Sequence, residues 1–179
     1  MTPLSQWQNF YVIVGSAAGA LTGLQFVVMA LMANLPAMET EAEAVAAFST
    51  PSVIHFGFVL ALAAIQVMPF HSLSYVSILW AAAGIIGIIY TSVTAYRVRT
   101  QRAYNPELID WVYRVILPYL AYSSLFAAAL TRPSHPTAAL FQVAAVTLLL
   151  LFIGIHDAWD NATFLVFYKR GEVDPKNPR

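Results

Sequence analysis

Three ionisable side chains stand close together late in the chain, at His156, Asp157 and Asp160. In a helix, His156 and Asp160 lie one turn apart on the same face, so the carboxylate can orient the imidazole or share an ion with it. If His55 joins His156 and Asp160, the set holds two imidazoles and a carboxylate, which suffices for a transition-metal site or a proton relay. We therefore expect an ion or proton site that includes His55, His156, Asp157 and Asp160. A metal bound by His55, His156 and Asp160 is an alternative.

A second pair of charges, Asp110 and Arg114, is also spaced by about one helical turn. An ionisable side chain near the centre of a bilayer costs about 2.5 to 3.5 kcal/mol on insertion scales, so it normally faces other helices and has a partner. We expect Arg114 to form an ion pair with Asp157 or Asp160. Asp110 and Arg114 are accordingly included in the candidate ion or proton site.

Two other interpretations of these residues stay open. In the first, Asp157 and Asp160 lie at the lipid headgroups beside Trp159, which acts as an interfacial anchor, and their role is purely structural. In the second, His55 and His156 hold a b-type haem between two helices, although no other haem motif accompanies them.

The distribution of charge determines which elements must position these residues. The 179-residue chain has nine Lys and Arg and nine Asp and Glu, and none of them occurs in 1–38, 44–96 or 133–156. About a quarter of ordinary globular composition is charged, whereas a bilayer core is crossed by ~20 apolar residues. The sequence therefore excludes a soluble domain and predicts an all-α, polytopic transmembrane helical bundle.

Apolar runs and their interruptions predict five spans in a single membrane domain. Pro36 ends the first span, and Pro51 is a favourable first helical residue for the second. Pro118 lies inside the fourth span, where we expect a kink rather than a break. The short turn at 69–71 makes spans two and three an antiparallel hairpin. The expected spans are 7–33, 51–68, 72–96, 108–130 and 137–168, followed by a cytoplasmic tail at 171–179.

The basic residues predict the orientation. With five spans, eight of the nine Lys and Arg fall on the side of the C-terminus, and only Arg132 falls on the other. Cytoplasmic loops are rich in Lys and Arg, so we predict an N-out/C-in topology in a membrane of the bacterial inner (plasma) membrane type. The candidate site then lies in the cytoplasmic third of the bundle.

Two connections on that side differ in charge. The connection after span one carries Glu39, Glu41 and Glu43 without a basic residue, which fits a cytoplasmic location less well. The connection after span three carries a basic patch beside the membrane, for which anionic lipid is a candidate partner. This patch consists of Arg97, Arg99 and Arg102.

Span one carries Gly15, Gly19 and Gly23 at a strict spacing of four. Small residues at this spacing form a groove in which another helix backbone can approach closely. We expect this glycine zipper to pack either against another helix of the same chain or against a second copy, so a homo-oligomer is the expected assembly.

Composition limits the remaining functions. The formal net charge is zero, so nucleic-acid binding is not expected, and the absence of cysteine excludes disulfides and thiolate metal sites. No connection is long enough for a soluble catalytic domain, and enzymatic activity is not expected. The leading hypothesis is a small oligomeric membrane protein that moves or senses an ion or proton. The alternatives are a membrane-embedded metal or haem redox subunit and a non-catalytic scaffold or accessory subunit.

Overall fold

The structure is a computed structural model that describes residues 6–33, 39–69, 72–100 and 108–169. Five helices form nearly all of this part of the chain, which contains no strand. The helices are α1 (Gln8–Ala33), α2 (Glu39–Val67), α3 (Leu73–Thr100), α4 (108–131) and α5 (Pro136–Lys169). The predicted all-α bundle is confirmed. The expected tail at 171–179 lies outside the described residues.

Four described segments are long and apolar enough to cross a membrane. They are Gln8–Ala30, Ser74–Thr100, Val112–Thr131 and Pro136–Asp160. The apolar part of α2, Ser52–Val67, is shorter than the other four. Large apolar side chains are exposed on the outside of the bundle, as lipid-facing positions require. Examples are Ile13, Phe26, Ile86, Phe141 and Phe152.

Helix α2 begins well before the residue at which we expected span two to begin. It starts at Glu39 and continues through Pro51. The segment before Pro51 is rich in Ala and Glu, which are strong helix formers, so the helix extends beyond its apolar part. The three glutamates of the predicted polar connection therefore belong to a helix, and their side chains lie outside the described part of the structure.

The helices pack in the order α1, α2, α5, α4, α3. The antiparallel register of α1 and α2 is visible where Gln66 of α2 donates a hydrogen bond to the Tyr11 hydroxyl of α1. Gln142 of α5 likewise donates to the Ser124 carbonyl oxygen of α4. The predicted hairpin of spans two and three is wrong as a packing unit, because α3 packs mainly against α4 and touches α2 little. Glycines on α3 allow the close approach of α3 to α4.

Both ends of the bundle have distinctive residues. We call the end that contains Arg132, between α4 and α5, the turn end. We call the opposite end, where α3 finishes with Arg97 and Arg99, the basic end. Between the two ends lies an apolar core, whose largest fully buried side chains include Trp80 and Phe56.

Helix α4 is continuous across Pro118 but changes its winding there. It consists of an α-helical turn (Leu108–Trp111), a π-helical turn (Val112–Ile116) and a longer α-helix (Leu117–Thr131). The Leu117 amide donates to the Val112 carbonyl, five residues back. Proline has no amide hydrogen and clashes with the carbonyl four residues before it, and wider winding relieves both constraints. The predicted distortion at Pro118 is thus a π-turn rather than a broken helix.

Candidate functional site: a buried histidine and two tyrosines

The interior of the bundle contains an imidazole without any access to the outside. His55 of α2 is only 1% exposed. Its Nδ1 lies 3.0 Å from the hydroxyl oxygen of Tyr122 of α4, which is also fully buried. A buried polar group costs free energy unless it has a hydrogen-bond partner, so this bond allows both residues to lie in an apolar core. The hydroxyl donates when Nδ1 is unprotonated and accepts when Nδ1 carries the proton.

Two further residues complete a group that we call the tyrosine–histidine cluster, consisting of His55, Tyr90, Tyr122 and Asp157. The Tyr90 ring of α3 meets the His55 ring edge-on at a centroid distance of 6.1 Å. Asp157 of α5 is buried, and its charge acts on the Tyr90 phenol. Four different helices each contribute one member. The cluster therefore depends on the assembled bundle and not on any local motif.

Glycines on α3 set the position of Tyr122. A Cβ at Gly87 would overlap the Tyr122 ring, and a Cβ at Gly84 would lie 2.9 Å from the backbone nitrogen of Phe126. The absence of side chains at these positions lets α3 and α4 approach closely. Tyr90 lies about one turn beyond Gly87 and is thereby brought to His55.

A separate group lies at the basic end, formed by Tyr113, His156 and Asp160. The rings of Tyr113 and His156 stack at a centroid distance of 3.5 Å and an angle of 6°. The spacing of four predicted that His156 and Asp160 lie close together, and His156 Nδ1 is 3.4 Å from Asp160 Oδ2. Their side chains are 30% and 52% exposed, so they have more contact with the surroundings than the buried residues His55, Tyr122 and Asp157.

The predicted site is therefore divided into two parts. Asp157 lies in the interior and Asp160 at the surface, beside the exposed Trp159. The interfacial interpretation of the two aspartates stays a prediction. Arg114 is half-buried in the π-turn and has an interaction partner in the structure. Its pairing with Asp157 or Asp160 stays a prediction, and the side chain of Asp110 lies outside the described part of the structure.

The geometry gives no support to the metal and haem alternatives. Among the described residues, no three His, Asp or Glu side chains converge on a position that could hold a metal ion. His55 contacts Tyr90 and Tyr122, whereas His156 stacks on Tyr113 and approaches Asp160. The proposed ligands thus belong to two different groups.

The glycines of α1 differ in their surroundings. A Cβ at Gly15 would lie 2.9 Å from the Ala63 Cβ, so Gly15 supports the close contact of α1 with α2. At Gly19 and Gly23 a Cβ would meet no described atom within 4 Å. Their packing against a second copy stays a prediction. Arg97 and Arg99 are exposed at the end of α3, where lipid binding stays a prediction, and Arg102 lies outside the described residues.

Three site residues were missed in the sequence, namely Tyr90, Tyr113 and Tyr122. Tyrosine is usually enriched at membrane interfaces, where its hydroxyl remains hydrated. Tyr122 instead stands at the middle of the predicted fourth span, where a phenol needs a protein partner. The position of Tyr122 inside a predicted span was therefore the feature of the sequence that could have identified it as a site residue. Its partner could not be inferred, because His55 is 67 residues away in the chain.

The helices and their apolar exterior fit a multi-pass integral membrane protein. Comparisons with protein-family models, curated proteins and solved structures give no match to the sequence. Any more specific function must therefore be argued from the chemistry of the interior.

Proposed function

We propose that the protein transfers protons across or into the membrane as a channel or transporter, with the tyrosine–histidine cluster as its proton-binding site. The observation that carries this proposal is the 3.0 Å contact of His55 Nδ1 with the Tyr122 hydroxyl inside an apolar bundle. Each nitrogen of an imidazole can bind or release a proton. Ionisable groups in membrane interiors mark proton and ion pathways in many transporters.

The other cluster members supply the chemistry that a proton pathway needs. A tyrosine hydroxyl can accept one proton and release another, and a carboxylate such as Asp157 is a proton acceptor. Asp157 acts electrostatically on Tyr90, and Tyr90 contacts His55. On this proposal a proton passes between Asp157 of α5 and His55 of α2 by way of the Tyr90 hydroxyl of α3, and the Tyr122 hydroxyl holds the imidazole.

The basic end supplies access to this cluster. His156 directly precedes Asp157 in α5. Its side chain is partly exposed, so protons from the surroundings can reach it at the basic end. Arg97, Arg99 and Arg114 lie at this end and Arg132 at the other, which favours a cytoplasmic location of the basic end. Protons would then reach Asp157 from the cytoplasm by way of His156.

Proton flux into proteoliposomes tests the proposal. The purified protein is reconstituted with an internal pH-sensitive dye, and a potassium gradient with valinomycin drives proton uptake. We expect wild-type vesicles to acidify faster than protein-free vesicles, and His55→Gln to abolish the difference. The matched control is His135→Gln, which removes an imidazole exposed in the turn between α4 and α5 and should leave the flux unchanged.

Two outcomes would contradict the proposal. One is wild-type flux no greater than that of protein-free vesicles, which would favour a scaffold or accessory role. The other is unchanged flux in a folded His55→Gln variant. A Tyr122→Phe variant keeps the test valid if His55→Gln fails to fold, since it retains the imidazole and removes only the hydroxyl.

A further inference from the structure

A second buried polar group lies near the turn end. It consists of Tyr11 of α1, Gln66 of α2 and Thr147 of α5, and we call it the glutamine node. All three residues are at least 95% buried. The Gln66 Nε2 donates to the Tyr11 hydroxyl at 3.2 Å, and the Thr147 side chain also interacts with Tyr11. Three helices therefore bring polar atoms to one point in the interior.

The donors and acceptors of the glutamine node do not balance. Thr147 Oγ1 donates its only proton to the Val143 carbonyl at 2.7 Å, so it has no proton left for the Gln66 Oε1. The Tyr11 hydroxyl accepts from the Gln66 Nε2. No donor among the described residues reaches the Gln66 Oε1, although this oxygen is completely buried. A buried carbonyl oxygen without a donor is costly, and in proteins an internal water molecule usually satisfies such an atom.

Two other buried atoms in the half of the bundle toward the turn end are hydrogen-bond donors without an acceptor among the described residues. Trp80 Nε1, on the second turn of α3, and Arg132 Nε both lack an acceptor within the described part of the chain. The indole of Trp80 is fully buried. Donors without acceptors and an acceptor without a donor thus occur in the same half of the bundle, which is the pattern that internal hydration produces.

The glutamine node is aligned with the tyrosine–histidine cluster. His55, Val59, Leu62 and Gln66 follow one another on a single face of α2, and all four are buried. On α5, Thr147 and Asp157 share a face with Leu150 and Gly154 between them. Eleven residues of α2 separate the two polar groups, which corresponds to about 16 Å along the helix axis. An apolar layer that includes Val59, Leu62 and Leu150 lies between them.

We infer that Gln66 Oε1 binds an internal water molecule and that the glutamine node is the hydrated end of the proton pathway toward the turn end. The second part rests on the proposed function, whereas the water site stands on hydrogen bonding alone. The apolar layer then separates two polar compartments, and apolar constrictions of this kind stop conduction by excluding water.

Radiolytic labelling tests the water site without measuring proton flux. The protein in lipid nanodiscs and ¹⁸O water is exposed to an X-ray pulse, and mass spectrometry locates the oxygen added to side chains by hydroxyl radicals. A radical formed from a bound water attacks its neighbours, so we expect Tyr11 to be labelled much faster than Tyr122. The comparison is matched because both rings are at least 99% buried and both hydroxyls have hydrogen-bond partners.

Substitutions test whether Gln66 Oε1 is the atom that binds the water molecule. Gln66→Met removes the amide at similar volume, and labelling of Tyr11 should fall to the rate of Tyr122. Gln142→Met makes the same change outside the glutamine node, where Gln142 donates to the Ser124 carbonyl, so labelling of Tyr11 should persist in this variant. Equal protection of Tyr11 and Tyr122 in the wild type would overturn the water site, as would undiminished labelling in Gln66→Met.

The pathway role has its own readout in the proteoliposome assay. If the glutamine node carries protons, Gln66→Met slows proton flux while the His55–Tyr122 bond is untouched. Normal flux in this variant would overturn the pathway role and leave the labelling result intact. Failure of the proposed function itself would instead appear as absent flux in the wild type.

Discussion

The ring of Tyr122 fills the space that a side chain at Gly87 would need. Because the same tyrosine holds His55 through its hydroxyl, the contact of α3 with α4 and the proposed proton-binding site share one residue. Substitutions on α3 that displace Tyr122 should therefore lower both the stability of the protein and its proton flux.

A methyl group at Gly87 should displace Tyr122. We expect Gly87→Ala to lower the free energy of unfolding by about 1 to 3 kcal/mol, the usual cost of overpacking, and to reduce proton flux. Circular dichroism during thermal unfolding in detergent measures the first effect. Gly23→Ala is the matched control, since a Cβ there meets no described atom within 4 Å, and it should not destabilise the fold. Equal effects of the two variants would contradict the assigned role of Gly87.

Removal of the Tyr122 hydroxyl should leave the His55 imidazole unsatisfied. We expect Tyr122→Phe to cost about 1 to 3 kcal/mol of unfolding free energy, the penalty of a buried group that loses its partner. In a His55→Leu background the same change should cost less, because no imidazole remains to be satisfied. Unfolding of the four proteins in this double-mutant cycle gives the coupling energy. A coupling energy of zero would mean that the bond does not stabilise the protein.

The two aspartates of α5 should differ in their effects on flux. Asp157 is buried beside the tyrosine–histidine cluster, whereas the Asp160 side chain is half-exposed. We expect Asp157→Asn to abolish proton flux and Asp160→Asn to change it by no more than about twofold, since exposed charge pairs contribute little. The proteoliposome assay compares the two variants directly. A greater loss in Asp160→Asn would place the proton site at the surface.

The apolar layer between the polar groups should limit the flux. Leu62 is fully buried, so Leu62→Ala leaves a cavity and should cost about 2 to 5 kcal/mol of stability while raising proton flux. Leu62→Met keeps the volume and should preserve both properties. Flux measured at a temperature well below unfolding, with dye leakage monitored in parallel, separates conduction from damage. A folded Leu62→Ala variant with wild-type flux would argue against a barrier at this layer.

The orientation can be tested with single cysteines, because the sequence contains none. Ser134→Cys is exposed in the turn at Arg132, and Thr100→Cys is exposed at the end of α3. With the basic end in the cytoplasm, a membrane-impermeant maleimide should label Ser134→Cys in intact cells and Thr100→Cys only after permeabilisation. The reverse pattern would invert the topology.

The sequence predicted the helices well and their neighbours poorly. Apolar runs between prolines located the membrane-crossing segments, because chain length and bilayer thickness restrict such runs. The helices are apolar on nearly all faces, so periodicity does not reveal which face is buried. For this reason the pairing of α3 with α4, through Gly84 and Gly87, was not foreseen, and a hairpin of spans two and three was expected instead.

The candidate site was predicted only in part. The i and i+4 spacing was sufficient to place Asp160 near His156, because a helix fixes that distance. The partners of His55 come from α3 and α4, and their positions follow from long-range packing that spacing does not encode. The depth of His55 and Asp157 directed attention to the interior of the bundle, whereas the tyrosines that surround His55 resembled ordinary apolar residues.

The π-turn before Pro118 also changes the rotational phase of α4. A π-turn accommodates one residue more than an α-helical turn, and one residue corresponds to about 100° around the axis. The part of α4 before the turn is thus rotated relative to the part that carries Tyr122. Deleting one residue within Val112–Ile116 would restore uniform winding and keep Tyr122 at His55, yet it would turn Tyr113 away from His156. A change in length at the π-turn can therefore alter the direction in which Tyr113 points without altering the direction in which Tyr122 points.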